Sequence, residues 1–209
     1  MGVGWIKPPG PVASGLRVGL LGGSFNPAHE GHLHVSDIAL KRLGLDYVWW
    51  LVSPQNPLKP ARGMAPLWDR LAQARLLTRH APRICVTGIE TCLNTRYTID
   101  TVVQLGRRFS QLRFVWLMGS DNLVTFHRWR KWQELAQRIP IAVVMRPGTT
   151  LAALKAKAAR RFPVRIRSER RLADIRPPVL VILDARRSPA SATAIRTRAL
   201  GRHACGMLE

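Results

Sequence analysis

The chain of 209 residues is poor in cysteine, in acidic residues and in long apolar runs, and the first and last of these shortages each exclude a class of protein. Its three cysteines, Cys85, Cys92 and Cys205, form neither a disulfide framework nor a metal-binding spacing, which is typical of a reducing cytoplasm. No apolar run approaches the ~18 residues of a membrane span. The first 16 residues also lack the apolar stretch of a signal peptide. The sequence therefore predicts a cytoplasmic protein that has no membrane partner.

The shortage of acidic residues leaves a large positive charge. Twelve Asp and Glu face 33 Lys and Arg, for a net charge of +21. Such a charge is typical of nucleic-acid-binding proteins. From Lys155 to Arg202 fourteen basic residues face three acidic ones, but no RNA-recognition or helix-turn-helix pattern accompanies them. A solvated basic face, or a field that steers a polyanionic nucleotide, accounts for the charge better than nucleic-acid binding does.

Strand-like apolar runs alternate with helical patterns along most of the chain. Predicted strands are Val18–Leu21, Tyr47–Val52, Arg83–Thr87, Leu112–Met118, Ile141–Met145 and Val179–Leu183. Predicted helices are Leu33–Leu43, Pro66–Thr78, Asp100–Arg108, Trp129–Gln137, Leu151–Arg161 and Ser191–Leu200. This alternation predicts an α/β fold, a single-domain, Rossmann-like, doubly wound parallel sheet of about six strands with helices on both faces. Residues 1–16 are expected to be a flexible leader, 17–203 the domain and 204–209 a tail.

The most informative segment, Gly22 to His32, reads Gly-Gly-Ser-Phe-Asn-Pro-Ala-His-Glu-Gly-His and follows the first strand directly. Glycines let the backbone approach a phosphate, and a helix that starts near Gly31 points its N–H groups and positive dipole end at the same place. His29 and His32, three residues apart, can both donate to phosphate oxygens. The segment lacks the spacing of a zinc protease, and the sequence predicts no protein-held metal. It predicts a cradle for a triphosphate.

The same segment resembles the nucleotidyltransferase superfamily that carries a His-x-Gly-His motif. The second motif of that superfamily, Ser-x-Thr-x-Ile-Arg, is matched by residues 191–196, where Ala192 replaces a common second Ser. The resemblance implies that both ends of the domain hold ATP and that His29, His32 and Arg196 are the catalytic contacts to its phosphates. The ATP-binding residues that it implies are Gly22, Gly23, Ser24, Phe25, Ser191, Thr193 and Ile195.

Four further segments indicate the second substrate. Val52–Pro60 is a proline-rich loop with a cation, and the helix start near Tyr97 offers free N–H groups to a carboxylate. Asp121 follows a strand end, where it fits a ribose hydroxyl or a positively charged ring. Trp129 can stack on a pyridinium ring, which is worth ~0.5–2 kcal/mol, whereas Trp132 is the better candidate for the core.

Together these segments resemble the bacterial nicotinate mononucleotide adenylyltransferases, from Arg17 to about Leu200. The resemblance implies a set of mononucleotide-binding residues: Asn56, Lys59, Tyr97, Thr98, Asp121 and Trp129. Ser24 and Asn26 stand where many relatives carry Thr and Asp, and both keep the capacity to form hydrogen bonds.

The reaction that the resemblance implies transfers an adenylyl group from ATP to nicotinate mononucleotide, giving deamido-NAD and pyrophosphate in NAD biosynthesis. Because a phosphate monoester is largely a dianion at neutral pH, the reaction needs no general base. Mg²⁺ is expected to arrive with ATP. The alternatives are another small-molecule adenylyl- or cytidylyltransferase of the superfamily and a basic RNA-binding protein. The sequence leaves a homo-oligomer open.

Overall fold

The computed structural model describes residues 6–54, 63–145, 155–162 and 169–183. Within these ranges six strands form one parallel sheet, as the alternating pattern predicts. Its strands are β1 (Arg17–Gly23), β2 (Tyr47–Val52), β3 (Ile84–Thr87), β4 (Arg113–Gly119), β5 (Ile141–Val144) and β6 (Leu180–Leu183). The strands lie in the order β3-β2-β1-β4-β5-β6.

Helices connect successive strands. They are α1 (Glu30–Arg42), α2 (Leu67–Leu77), α3 (Ile89–Leu93), α4 (Thr98–Arg108), α5 (Ser120–Thr125), α6 (Trp132–Arg138) and α7 (Lys157–Arg161), with 3₁₀ turns at Phe126–Arg128 and Glu169–Asp174. The short helices α3 and α5 are absent from the sequence-based prediction, because one or two turns show too little periodicity. The predicted helix at Ser191–Leu200 lies outside the described residues.

The sheet is buried on both faces, since the helices divide between them. Successive side chains of a strand point to opposite faces, and in β2 Trp49 and Trp50 are both fully buried on different sides. Trp50 packs in the cluster covered by α1 and α2. Trp49 packs in the cluster covered by α3, α4 and α6. The strands are therefore apolar at nearly every position, as parallel strands between two helical layers must be.

The direction of winding reverses at β1. From β1 the chain adds β2 and β3 on one side and then crosses to add β4, β5 and β6 on the other. In open parallel sheets, ligands bind in the crevice beyond the carboxyl ends of the two strands where the order reverses. That crevice lies here between the ends of β1 and β4. In the described ranges no helix is long and apolar enough to span a bilayer.

The segment before β1, which the sequence predicts to be a flexible leader, contacts the domain. From residue 6 onward, Ile6, Val12 and Leu16 pack against the buried core. The Gly15 N–H donates to the Gln111 carbonyl at 2.9 Å. Proline and glycine prevent a helix or strand here, but three apolar side chains suffice to hold an extended segment on the domain. Residues 1–5 lie outside the described part.

Ion pairs tie the 3₁₀ turn at Glu169–Asp174 to the sheet. Asp174 accepts from Arg113 and, at 2.9 Å, from Arg17, and these guanidinium groups lower the pKa of the Asp174 carboxyl. Glu169 accepts from Arg42 Nε at 2.8 Å. Two of the few acidic residues in the basic C-terminal third therefore hold it against β1, β4 and α1. Such exposed pairs are individually worth about 0–1 kcal/mol.

Candidate active site

The carboxyl ends of the parallel strands bring the predicted site segments to one edge of the sheet. The glycine turn follows β1, Ser53 follows β2, Tyr97 lies beyond β3, and Asp121 follows β4. Backbone contacts connect the first two, because the Ser53 N–H donates to the Gly23 carbonyl at 2.9 Å. Segments that are up to about 100 residues apart in the sequence thus line the crevice where the strand order reverses.

The two motif histidines hold each other at the start of α1. His29 is the N-cap, and its Nδ1 accepts from the Gly31 N–H at 3.0 Å. Nδ1 of His32 accepts from the His29 N–H at 3.2 Å. A neutral imidazole that accepts at Nδ1 carries its proton on Nε2, so these contacts make Nε2 the donor of each ring. The ring centroids lie 3.9 Å apart, so the two imidazoles are in contact.

Packing beneath His32 fixes its position. The His32 carbonyl accepts from Ser36 Oγ at 2.9 Å, and Trp50 Nε1 donates to the same Ser36 Oγ at 2.8 Å. The His32 ring lies 4.6 Å from the Phe25 ring, which stacks on Trp50 at 4.9 Å. A buried tryptophan of β2 therefore orients a histidine of α1 through both a hydroxyl and an aromatic ring.

Phe25 has a strained backbone. Its φ is +45°, in the left-handed region that bulky residues rarely adopt, and its side chain is 1% exposed. Such a conformation costs on the order of 1–3 kcal/mol and persists only where the surroundings impose it. Here the stacking on Trp50 and the tilted contact with the His32 ring supply those surroundings. Strain of this kind clusters at functional sites, which agrees with a binding role for the turn.

The two turn glycines differ in what they meet. A Cβ at position 22 would lie 2.5 Å from Cη2 of the buried Trp116. A Cβ at position 23 would meet only the Phe25 ring, at an ordinary 3.4 Å. Packing on Trp116 thus accounts for Gly22, whereas nothing in the packing requires Gly23. A role of Gly23 in letting this backbone approach a phosphate stays a prediction.

The predicted carboxylate site at the start of α4 carries positive charge. Tyr97 is the half-buried N-cap of α4, and Thr98 is its first residue. The Arg130 guanidinium lies 4.6 Å from the centre of the Tyr97 ring, and that of Arg96 lies 5.9 Å from it. The sequence-based reasoning missed Arg130, which comes from the segment that follows β4. This contact joins two of the segments predicted to bind the mononucleotide.

The structure does not distinguish Trp129 from Trp132, although the sequence predicts a ligand-facing Trp129 and a core Trp132. Both are half-buried and pack against the same core cluster. Trp129 lies edge-on to Trp116 at 6.1 Å, and Trp132 lies edge-on to Phe162 at 5.7 Å. A ligand-facing role for Trp129 therefore stays a prediction. Asp121 is exposed in the first turn of α5, directly after β4.

A buried carboxyl group lies behind the start of α4. Glu90 is 9% exposed, and its Oε1 accepts from Thr101 Oγ1 at 3.1 Å. Thr95 Oγ1 lies 2.8 Å from the same Thr101 hydroxyl. Burial raises the pKa of Glu90 to about 7, and the hydrogen bond from Thr101 opposes the shift. The sequence-based reasoning assigned Glu90 no role, since the side chain that donates to its carboxyl lies eleven residues away.

Arg70 is a second group that the sequence-based reasoning missed. It is 1% exposed on α2 and donates four hydrogen bonds, all to backbone carbonyls. A signal was present in the sequence, because residue 70 falls on the apolar stripe of α2 between Leu67 and Ala74. An arginine at a core-facing position needs partners for its N–H groups, and only the structure shows that these are Ser24, Ser53, Pro54 and Ala65.

Several predicted site residues lie outside the described ranges. They are Asn56, Lys59, Ser191, Thr193, Ile195 and Arg196. Their assignments stay predictions from sequence. Across the portions of the chain with assigned structure, no group of three or more His, Cys, Asp and Glu side chains is arranged to hold a metal ion.

Comparisons with known proteins give the family. The profile of the cytidylyltransferase-like family matches residues 20–198. A probable nicotinate-nucleotide adenylyltransferase of Parvibaculum lavamentivorans is 54% identical over 90% of this chain and 94% of its own. One from Methylorubrum extorquens is 54% identical over 88% of this chain and all of its own.

A solved structure shares the fold at low sequence identity. Nicotinic acid mononucleotide adenylyltransferase of Plasmodium falciparum, complexed with NaAD, superposes with a TM-score of 0.68. It is 14% identical and covers 87% of this chain and 83% of its own. The profile match and the relatives at more than half identity show that the chain is a cytidylyltransferase-like protein of the nicotinate-nucleotide adenylyltransferase family.

Proposed function

We propose that this protein transfers the adenylyl group of ATP to nicotinate mononucleotide, giving deamido-NAD and pyrophosphate. A phosphate oxygen of the mononucleotide attacks the α-phosphorus of ATP, and the bond from that phosphorus to the bridging oxygen of the β-phosphate breaks. The observation that carries the proposal is the histidine pair, whose Nδ1 atoms are held by backbone N–H groups at the crevice between β1 and β4.

The chemistry of this site is positioning and charge stabilisation. The attacking phosphate is already largely a dianion at neutral pH, so no residue has to remove a proton from it. His29 and His32 donate from Nε2 to the phosphates of ATP, where negative charge moves towards the leaving pyrophosphate. The N-terminus of α1 adds its dipole at the same point. We assign Arg196 to the leaving phosphates, and Mg²⁺ enters as the ATP complex.

The mononucleotide occupies the other side of the crevice in this proposal. Tyr97 and Thr98 present the backbone N–H groups at the start of α4 to the nicotinate carboxylate, beside the charges of Arg96 and Arg130. Asp121 at the end of β4 binds ribose or faces the pyridinium ring, and Trp129 stacks on that ring. Asn56 and Lys59 complete this side. We propose that the protein acts in the cytoplasm, where ATP and the mononucleotide are available.

The test is pyrophosphate release from purified protein supplied with Mg²⁺ and either ATP or CTP. The second substrate is nicotinate mononucleotide, phosphopantetheine or none, and binding of a labelled RNA is measured in parallel. We expect release with ATP and nicotinate mononucleotide. Release with another pair would move the protein to a different reaction of the superfamily. Tight, salt-sensitive RNA binding without release of pyrophosphate would favour the nucleic-acid alternative.

Selectivity for the acid over the amide tests the carboxylate site. We expect kcat/KM for nicotinate mononucleotide to exceed that for nicotinamide mononucleotide by about tenfold or more, because one charged hydrogen bond is worth ~1.5–3 kcal/mol. Replacing Arg130 by Gln should reduce that ratio. Replacing Arg107, an exposed arginine in the last turn of α4, by Gln should leave it unchanged. Equal efficiency with the two mononucleotides would remove the assignment.

A further inference from the structure

We propose that Arg70 is a positioning residue that holds the turn after β1 and the stem of the segment after β2 in one arrangement, so that one buried side chain governs the binding of both substrates. The proposal deepens the adenylyl transfer proposed above and rests on it. Arg70 belongs to neither sequence motif of the family. It makes its contacts from α2, the helix after the second strand.

The contacts of Arg70 span three segments. Nη1 donates to the Ser24 carbonyl at 2.6 Å and to the Ser53 carbonyl at 2.8 Å. Nη2 donates to the Pro54 carbonyl at 2.9 Å, and Nε donates to the Ala65 carbonyl at 2.8 Å. Ser24 belongs to the turn that we assign to ATP. Ser53 and Pro54 begin the segment that carries Asn56 and Lys59, and Ala65 lies beyond its end.

A second side chain strengthens the same arrangement. Asn26, two residues after Ser24, donates from Nδ2 to the Gly63 carbonyl at 2.9 Å and accepts the Ala65 N–H at 3.3 Å. Both ends of the segment from Ser53 to Ala65 are therefore tied to the turn after β1. We refer to these tied ends, residues 53–54 and 63–65, as the stem.

The chemistry of arginine suits this task and that of lysine does not. A guanidinium offers five N–H donors in a rigid plane, and four carbonyls in different directions require such a fork. A lysine ammonium is a single point with three donors, so it cannot reach the same set. In the described part of the chain no carboxylate pairs with Arg70, and backbone carbonyl dipoles alone solvate its charge. The buried positive charge also contacts the turn at Ser24, which we assign to ATP.

The experiment compares Arg70→Lys, which keeps the charge, with Arg75→Lys as the matched control. Arg75 lies on the same helix and is exposed. For Arg70→Lys we expect kcat/KM to fall by about tenfold or more for ATP and for nicotinate mononucleotide alike, with a rise in both KM values. Activity is expressed per folded molecule, from circular dichroism and thermal unfolding. Arg75→Lys should stay within about twofold of the wild type.

Two results would overturn the proposal. One is a folded Arg70→Lys protein whose kinetic constants match the wild type. The other is a defect confined to a single substrate, which would place Arg70 at one loop only. If Arg70→Lys does not fold, Asn26→Ala removes the second tie of the stem and must show the same loss for both substrates. Wild-type protein that fails to release pyrophosphate would instead refute the proposed function, independently of either variant.

Discussion

Replacing His32 by Ala is expected to lower kcat by about 10²–10³-fold, because a preorganised donor to developing charge contributes ~2.7–4 kcal/mol to the transition state. Nδ1 of His32 is engaged by the His29 N–H, so its Nε2–H is the donor that the substitution removes. Stopped assays of pyrophosphate release at saturating ATP and mononucleotide measure the effect. The KM for ATP should change less than kcat, since the charge builds up mainly in the transition state.

Two companion variants sharpen this result. His32→Gln keeps an N–H donor near the position of Nε2 and should recover part of the lost rate. His34→Ala removes a half-buried histidine that lies two residues later on α1 and points to a different groove, so it should stay close to the wild type. A His32→Ala protein with wild-type kcat and unchanged affinity for ATP would contradict the assignment of this histidine.

Replacing Glu90 by Gln is expected to change how stability depends on pH. In the unfolded chain the carboxyl loses its proton near the ordinary value of 4.5, whereas in the folded protein burial raises the pKa to about 7. Between these values the folded state binds more protons, so rising pH favours unfolding. The contribution of Glu90 is thus fully present below about pH 4.5 and is lost as pH rises through about 7. The loss amounts to about 3 kcal/mol.

Urea unfolding of the wild type and of Glu90→Gln at several pH values from 4.5 to 8.5 measures this difference. Glutamine keeps the acceptor for Thr101 and cannot ionise. The free energy of unfolding of the variant, relative to that of the wild type, should therefore increase as pH rises. Subtracting the free energies of unfolding of the two proteins at each pH removes the contribution of the histidines, which both proteins share. Glu134→Gln is the control, because hydrogen bonds from Lys131 and Arg138 lower the pKa of this carboxyl, whereas burial raises that of Glu90. A constant difference across the range would show that Glu90 is ionised normally.

The strands and the main helices were predictable from the sequence because they depend on local periodicity. The run Val18 to Leu21 lies within β1, and Tyr47 to Val52 is β2 to the residue. The apolar stripe alone places the start of α1 at Leu33, whereas the glycine turn places it near Gly31, one residue after the observed Glu30. The helix begins earlier because His29 and His32 cap it themselves, and a histidine N-cap is not among the usual helix-start signals.

The helix predicted at Trp129–Gln137 shows what local patterns miss. In the structure α6 begins only at Trp132, after a 3₁₀ turn at Phe126–Arg128 and a left-handed Lys131. The sequence is compatible with a longer helix, but Trp129 and Phe126 pack edge-on at 5.3 Å in the bent arrangement. Trp129 also packs edge-on against the distant Trp116, so tertiary contacts accompany the later start of α6.

The buried polar groups were the hardest to predict. Both Arg70 and Glu90 could have been suspected, Arg70 from its place on an apolar stripe and Glu90 from the threonines that follow it. Neither position in the sequence identifies the groups that form hydrogen bonds with the buried side chain. Those partners come from segments whose meeting depends on how α2 and α4 lie against the sheet.

The sequence by itself determined the place of the glycine turn after β1 and the parallel α/β architecture, because periodicity, glycine conformation and histidine spacing act over a few residues. Only the tertiary structure decided that β4 lies beside β1, which creates the crevice, and that Arg70 joins the turn to the stem. These features arise where distant segments bury their polar groups together. A hydrogen bond between such segments has no signature within either of them.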